Sequence, residues 1–177
     1  HNLYFSQDWR KNFAEIFDHP TWPSDPSFYV CAPSKTDSTV APPGTENLFV
    51  LVPIASDLKY SQSELEAYAD RVLDSLSDKM GVRNIQSRIL YKRLFCVDDF
   101  RERYNSFQGS ALGLAHTLRQ TAVFRPNNIH PRVSNLLYVG AGTNPGIGMP
   151  VCLVSAELAY KRLIGDKSDG PLPDAVK

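Results

Sequence analysis

The sequence lacks an excess of charge of either sign, because its 177 residues carry 19 lysines and arginines against 19 aspartates and glutamates. Proteins that bind DNA or RNA owe much of their affinity to basic side chains that displace counterions from phosphates. The balanced charge therefore predicts that nucleic acid is not a partner. Apolar residues make up 42% of the chain, which is enough for one good core or two small ones.

Cysteine is scarce as well. The three cysteines, Cys31, Cys96 and Cys152, lie far apart in apolar runs and form no CxxC pair. Zinc sites and disulfide frameworks need clustered or paired cysteines, so this pattern predicts buried thiols in a reducing compartment. The histidines also lack the spacing of metal ligands, and we expect no metal site.

Long hydrophobic runs are absent too. The longest, residues 48–54 and 111–115, fall far short of the roughly 20 apolar residues that cross a bilayer. The chain begins at His1 without the charged and apolar segments of a signal peptide. We therefore expect it to be cut from a longer protein.

Local patterns predict three helices before the last third of the chain. Apolar residues recur at helical spacing between residues 9 and 17. A second helix starts at a capping box formed by Ser61 and Glu64 and runs to Met80. A third spans residues 97–104, where two early aspartates suit the N-terminal end of a helix dipole.

Strands are predicted from apolar runs between turn residues. Residues 27–32 and 48–54 flank a Pro-Pro-Gly turn at 42–44, which predicts a long hairpin whose second strand is buried on both faces. Residues 85–95 also resemble a strand. Residues 109–119 fit either a loop or a closely packed helix, because two of their glycines have GxxxG spacing.

The last third carries the chemistry. Residues 136–139 predict a buried strand and Pro150 predicts the start of a helix, with glycines at 140, 142, 146 and 148 between them. Such glycines indicate that something approaches the backbone closely, and a helix N-terminus suits a phosphate or a heterocycle oxygen. The dinucleotide fingerprint GxGxxG fails, because its third glycine would fall on Pro145. The segment is either a second, closing contact on a cofactor held mainly elsewhere or a turn that binds nothing.

Residues 135–156 read NLLYVGAGTNPGIGMPVCLVSA. They resemble the C-terminal flavin motif of bacterial- and fungal-type phytoene desaturases, within the flavin amine-oxidase-like group, which reads approximately NLYLVGAGTxPGxGxPxxxxSA. Residues 120–126 resemble the family's QSAWFRP segment, and residues 41–44 its APPG turn. Two departures stand out: Asn144 replaces a histidine of many members, and the GxGxxG half that holds the ADP part of FAD is missing.

The resemblance implies an α/β fold with α+β character. Residues 1–108 would form part of a substrate-binding domain, a mixed sheet with helices. Residues 109–165 would supply the C-terminal strand, loop and helix of an FAD-binding domain, and 166–177 a flexible tail.

The resemblance also implies a set of FAD-binding residues. The residues expected near the pyrophosphate and ribityl chain are Gly140, Ala141 and Gly142. Those expected along the isoalloxazine edge are Gly146, Ile147, Gly148, Met149 and Pro150. For Arg125 two roles stay open, an ion pair with a carboxylate or a direct role at flavin or substrate.

By this resemblance the whole protein is an FAD-dependent oxidoreductase, a phytoene dehydrogenase that forms conjugated double bonds in a carotenoid precursor such as phytoene. The fragment alone is expected to be inactive, and no catalytic residue is assigned. Because phytoene dissolves only in membranes, we expect a cytoplasmic protein that binds the membrane surface peripherally. The alternative is a non-catalytic module that binds lipids or polyenes without the dinucleotide cradle.

Overall fold

The chain divides into two compact units, His1–Gly109 and Ser110–Lys177. The structure is a computed structural model that describes residues 1–172. The last part of the predicted tail, residues 173–177, lies outside the described residues. What each unit binds stays a prediction.

The first unit contains a three-stranded sheet. Its strands are β1 (Asn2–Tyr4), β2 (Phe28–Cys31) and β3 (Phe49–Leu51), in the order β1-β2-β3. Both pairings are antiparallel, with Leu3 opposite Tyr29 and Tyr29 opposite Leu51. The predicted hairpin is therefore confirmed. The predicted mixed sheet is wrong for the described residues, because each strand runs opposite to its neighbour.

The prediction that the second hairpin strand is buried on both faces is also wrong. Phe49 is 54% exposed and Leu51 45% exposed. Phe49 and Leu51 lie opposite Cys31 and Tyr29, on the face of the sheet that points away from the core cluster, whereas Val50 lies on the face that packs in it. A run of apolar residues does not show whether one or both faces of the strand will be covered by other elements.

The helices begin and end where local signals place them. They are α1 (Trp9–Phe13), which continues as a π-helical turn over Ala14–Asp18, α2 (Gln62–Met80), α3 (Val97–Tyr104) and α4 (Met149–Ile164). The capping box of α2 is confirmed, since the Ser61 N–H donates to Glu64 Oε2 at 2.7 Å and the Glu64 N–H donates to Ser61 Oγ at 3.3 Å. The Ser61 N–H and the Ser61 hydroxyl both donate to the Glu64 carboxylate, and they lower the pKa of Glu64 because they favour its charged form. Mixed α and β structure is thus present, as predicted.

The core of the first unit lies between the sheet and α2. Leu76 is fully buried and packs in one cluster with Phe28, Val30 and Ile85. A second cluster surrounds Cys96, the most buried of the three thiols. Cys31 and Cys152 are only half-buried, so the prediction of three buried thiols holds for one.

Two segments of the first unit differ from their predicted structure. Residues 85–95 form no strand, only a 3₁₀ turn at Gln86–Arg88. Lys92 instead donates to Glu66 at 2.9 Å and Asp70 at 3.0 Å, which ties the segment to α2 through its cation. Gly109 ends a 3₁₀ turn at Phe107–Gly109, and residues 110–119 contain no helix.

The second unit contains α4 and a series of turns. Residues 136–139, predicted as a buried strand, form only one bridge, between Leu137 and Ile129. Val139 is 59% exposed, so the prediction is wrong in both respects. A strand needs a neighbour along its length, and the described residues offer 136–139 only this single bridge.

The segment after α4 folds back along it. The Lys161 ammonium donates to the carbonyl of Ser168, at 3.4 Å, and to that of Gly170. Glu157 accepts from the Leu172 N–H at 2.6 Å. In the described part of the chain, no helix is long and apolar enough to cross a membrane.

Candidate functional site

The predicted helix start at Pro150 is confirmed. Gly148 precedes α4 without a side-chain cap, and the first bond across the turn runs from the Cys152 N–H to the Gly148 carbonyl at 2.8 Å. The first amides of any helix have no acceptor within it, and among the described residues no side chain supplies one here. Met149 is 86% exposed at this end. The helix therefore presents free N–H groups and the positive end of its dipole.

A buried polar network fixes the loop that leads to α4. The Ser155 hydroxyl, fully buried on α4, accepts from the Gly140 N–H at 3.0 Å and from Asn128 Nδ2 at 3.2 Å. Asn128 Nδ2 also lies 3.1 Å from the carbonyls of Tyr138 and Asn144, and Asn128 Oδ1 accepts from Arg162. One side chain thus ties both ends of the loop to the helix.

Arg125 holds the loop from its other side. This side chain is only 3% exposed. Its Nε donates to the Thr143 carbonyl at 3.0 Å, one terminal nitrogen to the Gln120 carbonyl at 3.1 Å, and the other to the Ala141 carbonyl. Within residues 1–172 it forms no ion pair, so the expected carboxylate partner is not found there. The sequence did not predict that Arg125 would hold this loop in place through backbone carbonyls.

The four glycines of the loop differ in whether the fold itself requires a glycine at their position. Gly140, Gly146 and Gly148 have φ of +96°, +143° and +121°, which other residues adopt only with strain. Gly146 also lies against a side chain, since an added Cβ would come within 2.8 Å of the His116 ring. These three positions need glycine for the fold itself.

Gly142 is the exception. Its φ lies outside the left-handed region, and an added Cβ would meet nothing within 4 Å. It lines an open hollow of about 390 Å³ together with Pro126, Tyr138, Val139 and Thr143. Nothing in the described chain requires glycine there.

The structure brings the predicted site residues into one continuous loop. Arg125 contacts both halves of this loop. It donates to the carbonyls of Ala141 and Thr143, and its Nε would lie 3.8 Å from a Cβ atom added at Gly146. Among the predicted residues, only Gly142 is a lining residue of the hollow described above. The supporting side chains Asn128 and Ser155 were not identified as partners, since nothing local in the sequence shows that they meet.

The chain is similar to several curated proteins along most of its length. It is 51% identical over 166 residues to a carotenoid 3,4-desaturase of Haloarcula japonica, covering 94% of this chain and 33% of that protein. It is 37% identical to a zeta-carotene-forming phytoene desaturase of Myxococcus xanthus, over 93% of this chain and 32% of that protein. It is 35% identical to a phytoene desaturase of Phycomyces blakesleeanus, over 89% of this chain and 28% of that protein. No family model matches the chain. The chain spans about one third of the length of these relatives.

Proposed function

Because this chain is related over nearly its whole length to carotenoid and phytoene desaturases, we propose that the protein containing it is an FAD-dependent desaturase of long polyisoprenoids. The proposed substrate is a carotenoid precursor such as phytoene, in which the enzyme converts a saturated carbon pair to a conjugated double bond. The proposed location is the cytoplasmic membrane surface, where such a hydrocarbon is dissolved. The dinucleotide cradle would lie in the part of the full-length protein that corresponds to the region of the relatives outside this chain.

Gly142 carries the proposal that the loop touches a cofactor. It is the one glycine of the four that neither backbone strain nor an internal contact explains, and it lines a surface hollow. Since the fold itself does not require glycine at this position, we attribute the absence of a side chain to a ligand that packs against the backbone. The free amides at the start of α4 add a positive dipole end, which fits the oxygens of a flavin dinucleotide.

In this proposal the second unit binds and orients the cofactor. FAD, when bound, supplies the acceptor for the hydrogen that leaves the substrate. Gly140, Ala141 and Gly142 would hold its phosphates and ribityl chain, and the segment from Gly146 to Pro150 would hold its ring. The start of α4 would stabilise negative charge at the ring edge, by about 0.3–2 kcal/mol depending on burial.

The test uses the full-length protein and two glycine variants. Gly142→Ala places a methyl group in space that is empty in the described chain, so the fold should keep its stability while FAD affinity falls at least tenfold. Gly170→Ala is the matched control, because its Cβ also meets nothing within 4 Å and its φ is ordinary. FAD content of the purified proteins and titration of the apoproteins give the affinities.

Equal FAD affinity in Gly142→Ala and the control would show that the loop does not touch the cofactor. A wild-type protein that binds polyene but no FAD would favour the alternative, a non-catalytic lipid- or polyene-binding module.

A further inference from the structure

Arg125 is a buried cation whose charge is not paired with a carboxylate in residues 1–172. Buried arginines are usually paired with carboxylates, because an isolated charge in the interior is costly. Here the guanidinium instead donates to three backbone carbonyls, those of Gln120, Ala141 and Thr143. The planar fork of an arginine can span several acceptors at fixed angles, whereas the ammonium of a lysine cannot.

The bond to Ala141 fixes the direction of the next amide. The peptide between Ala141 and Gly142 is trans, since the cis bond of the described chain lies at Asn144–Pro145. In a trans peptide the carbonyl and the N–H point in opposite directions across the plane. With the Ala141 carbonyl held by Arg125, the Gly142 N–H points away from the guanidinium.

That amide is free. Within residues 1–172, neither the Ala141 N–H nor the Gly142 N–H donates to a backbone or side-chain acceptor. The amides on either side are used, because the Gly140 N–H donates to the Ser155 hydroxyl at 3.0 Å and the Thr143 N–H donates to the Gly140 carbonyl at 3.4 Å. Gly142 lines the hollow described above, and the carbonyl of its peptide bond with Ala141 accepts from a buried cation, which makes the N–H end of that peptide more positive. Free backbone N–H groups of this kind bind anions.

We propose that Arg125 is a positioning residue that presents the Gly142 N–H to a phosphate oxygen of the cofactor. It acts through the Ala141–Gly142 peptide and does not itself touch the ligand. The positive charge of Arg125, which is bonded to the Ala141 carbonyl, increases the polarity of the Ala141–Gly142 peptide. This inference rests on the proposed function, since it takes the anionic ligand to be FAD.

The experiment compares FAD with riboflavin, which has the same ring system and no phosphate. In the full-length apoprotein, Arg125→Met removes fork and charge, and Arg125→Lys keeps the charge but cannot bridge the carbonyls. Both variants should bind FAD at least tenfold more weakly, while riboflavin affinity changes less than threefold. Arg132→Met, an exposed arginine of the same unit, is the control and should leave both affinities unchanged.

A double variant tests the route of the effect. Gly142→Ala keeps the Gly142 N–H, but its methyl group would hold the ligand away from that amide. Combining it with Arg125→Met should therefore cost no more FAD affinity than the worse single change, because both changes disturb the same contact. Additive losses would overturn the proposal, as would full FAD affinity in Arg125→Lys or equal losses for FAD and riboflavin. Arg125→Lys keeps a cation in the site and decides the question if the methionine variant does not fold. Wild-type protein without FAD affinity would overturn the proposed function itself, and this inference with it.

Discussion

Replacing Ser155 by alanine should loosen the glycine loop at one defined atom. The Ser155 hydroxyl accepts from the Gly140 N–H at 3.0 Å and from Asn128 Nδ2 at 3.2 Å. Asn128 keeps its other two acceptors, the carbonyls of Tyr138 and Asn144, in the variant. The alanine therefore leaves one donor unsatisfied, the Gly140 N–H.

The size of the effect follows from that single donor. A buried donor without a partner costs about 1–3 kcal/mol. Gly140 is half-buried, so water reaches it in part and the loss of unfolding free energy should be in the lower half of that range, about 1–2 kcal/mol. Exchange of the Gly140 amide hydrogen with deuterium should accelerate at the same time, because its acceptor is gone.

The assay must report on the second unit. Both tryptophans, Trp9 and Trp22, lie in the first unit, so their fluorescence would not follow this change. Suitable measurements are hydrogen exchange at Gly140 and urea unfolding monitored by circular dichroism. Ser134→Ala, at an exposed serine of the same unit, is the control and should change stability by less than about 0.5 kcal/mol. Unchanged Gly140 exchange in Ser155→Ala would refute the reasoning that this hydroxyl holds the loop.

Two further predictions concern the first unit and the thiols. Leu76→Ala should lower the free energy of unfolding by about 2–5 kcal/mol, because Leu76 is fully buried, whereas Leu90→Ala, at an 81% exposed side chain, should have little effect in the same urea titration. A loss below 1 kcal/mol for Leu76→Ala would contradict the assigned core. At pH 8, Cys31 and Cys152 should react with a thiol reagent before Cys96, because burial raises the pKa of the Cys96 thiol and keeps it protonated. Equal reaction rates of all three thiols in the folded protein would contradict this order.

Local signals in the sequence determined those elements that depend on neighbouring residues alone. The capping box at Ser61, the hairpin of β2 and β3 and the helix start at Pro150 each require only a few adjacent side chains, and all three are confirmed. The glycine-rich motif of residues 135–156 also placed the candidate loop, because a motif is contiguous in the chain. The identity of its ligand stays a prediction.

The tertiary structure decided whatever depends on a distant partner. Residues 136–139 have the composition of a strand, but a strand exists only where neighbours pair with it, and one bridge is all that the described chain supplies. Arg125 suggested an ion pair, yet its partners are carbonyls up to 18 residues away. The four glycines look alike in sequence, and only their φ angles and surroundings show that Gly142 is free of internal constraint. Backbone conformation and long-range contacts are set by the whole fold, which is why the sequence alone could name the loop but not the roles of its residues.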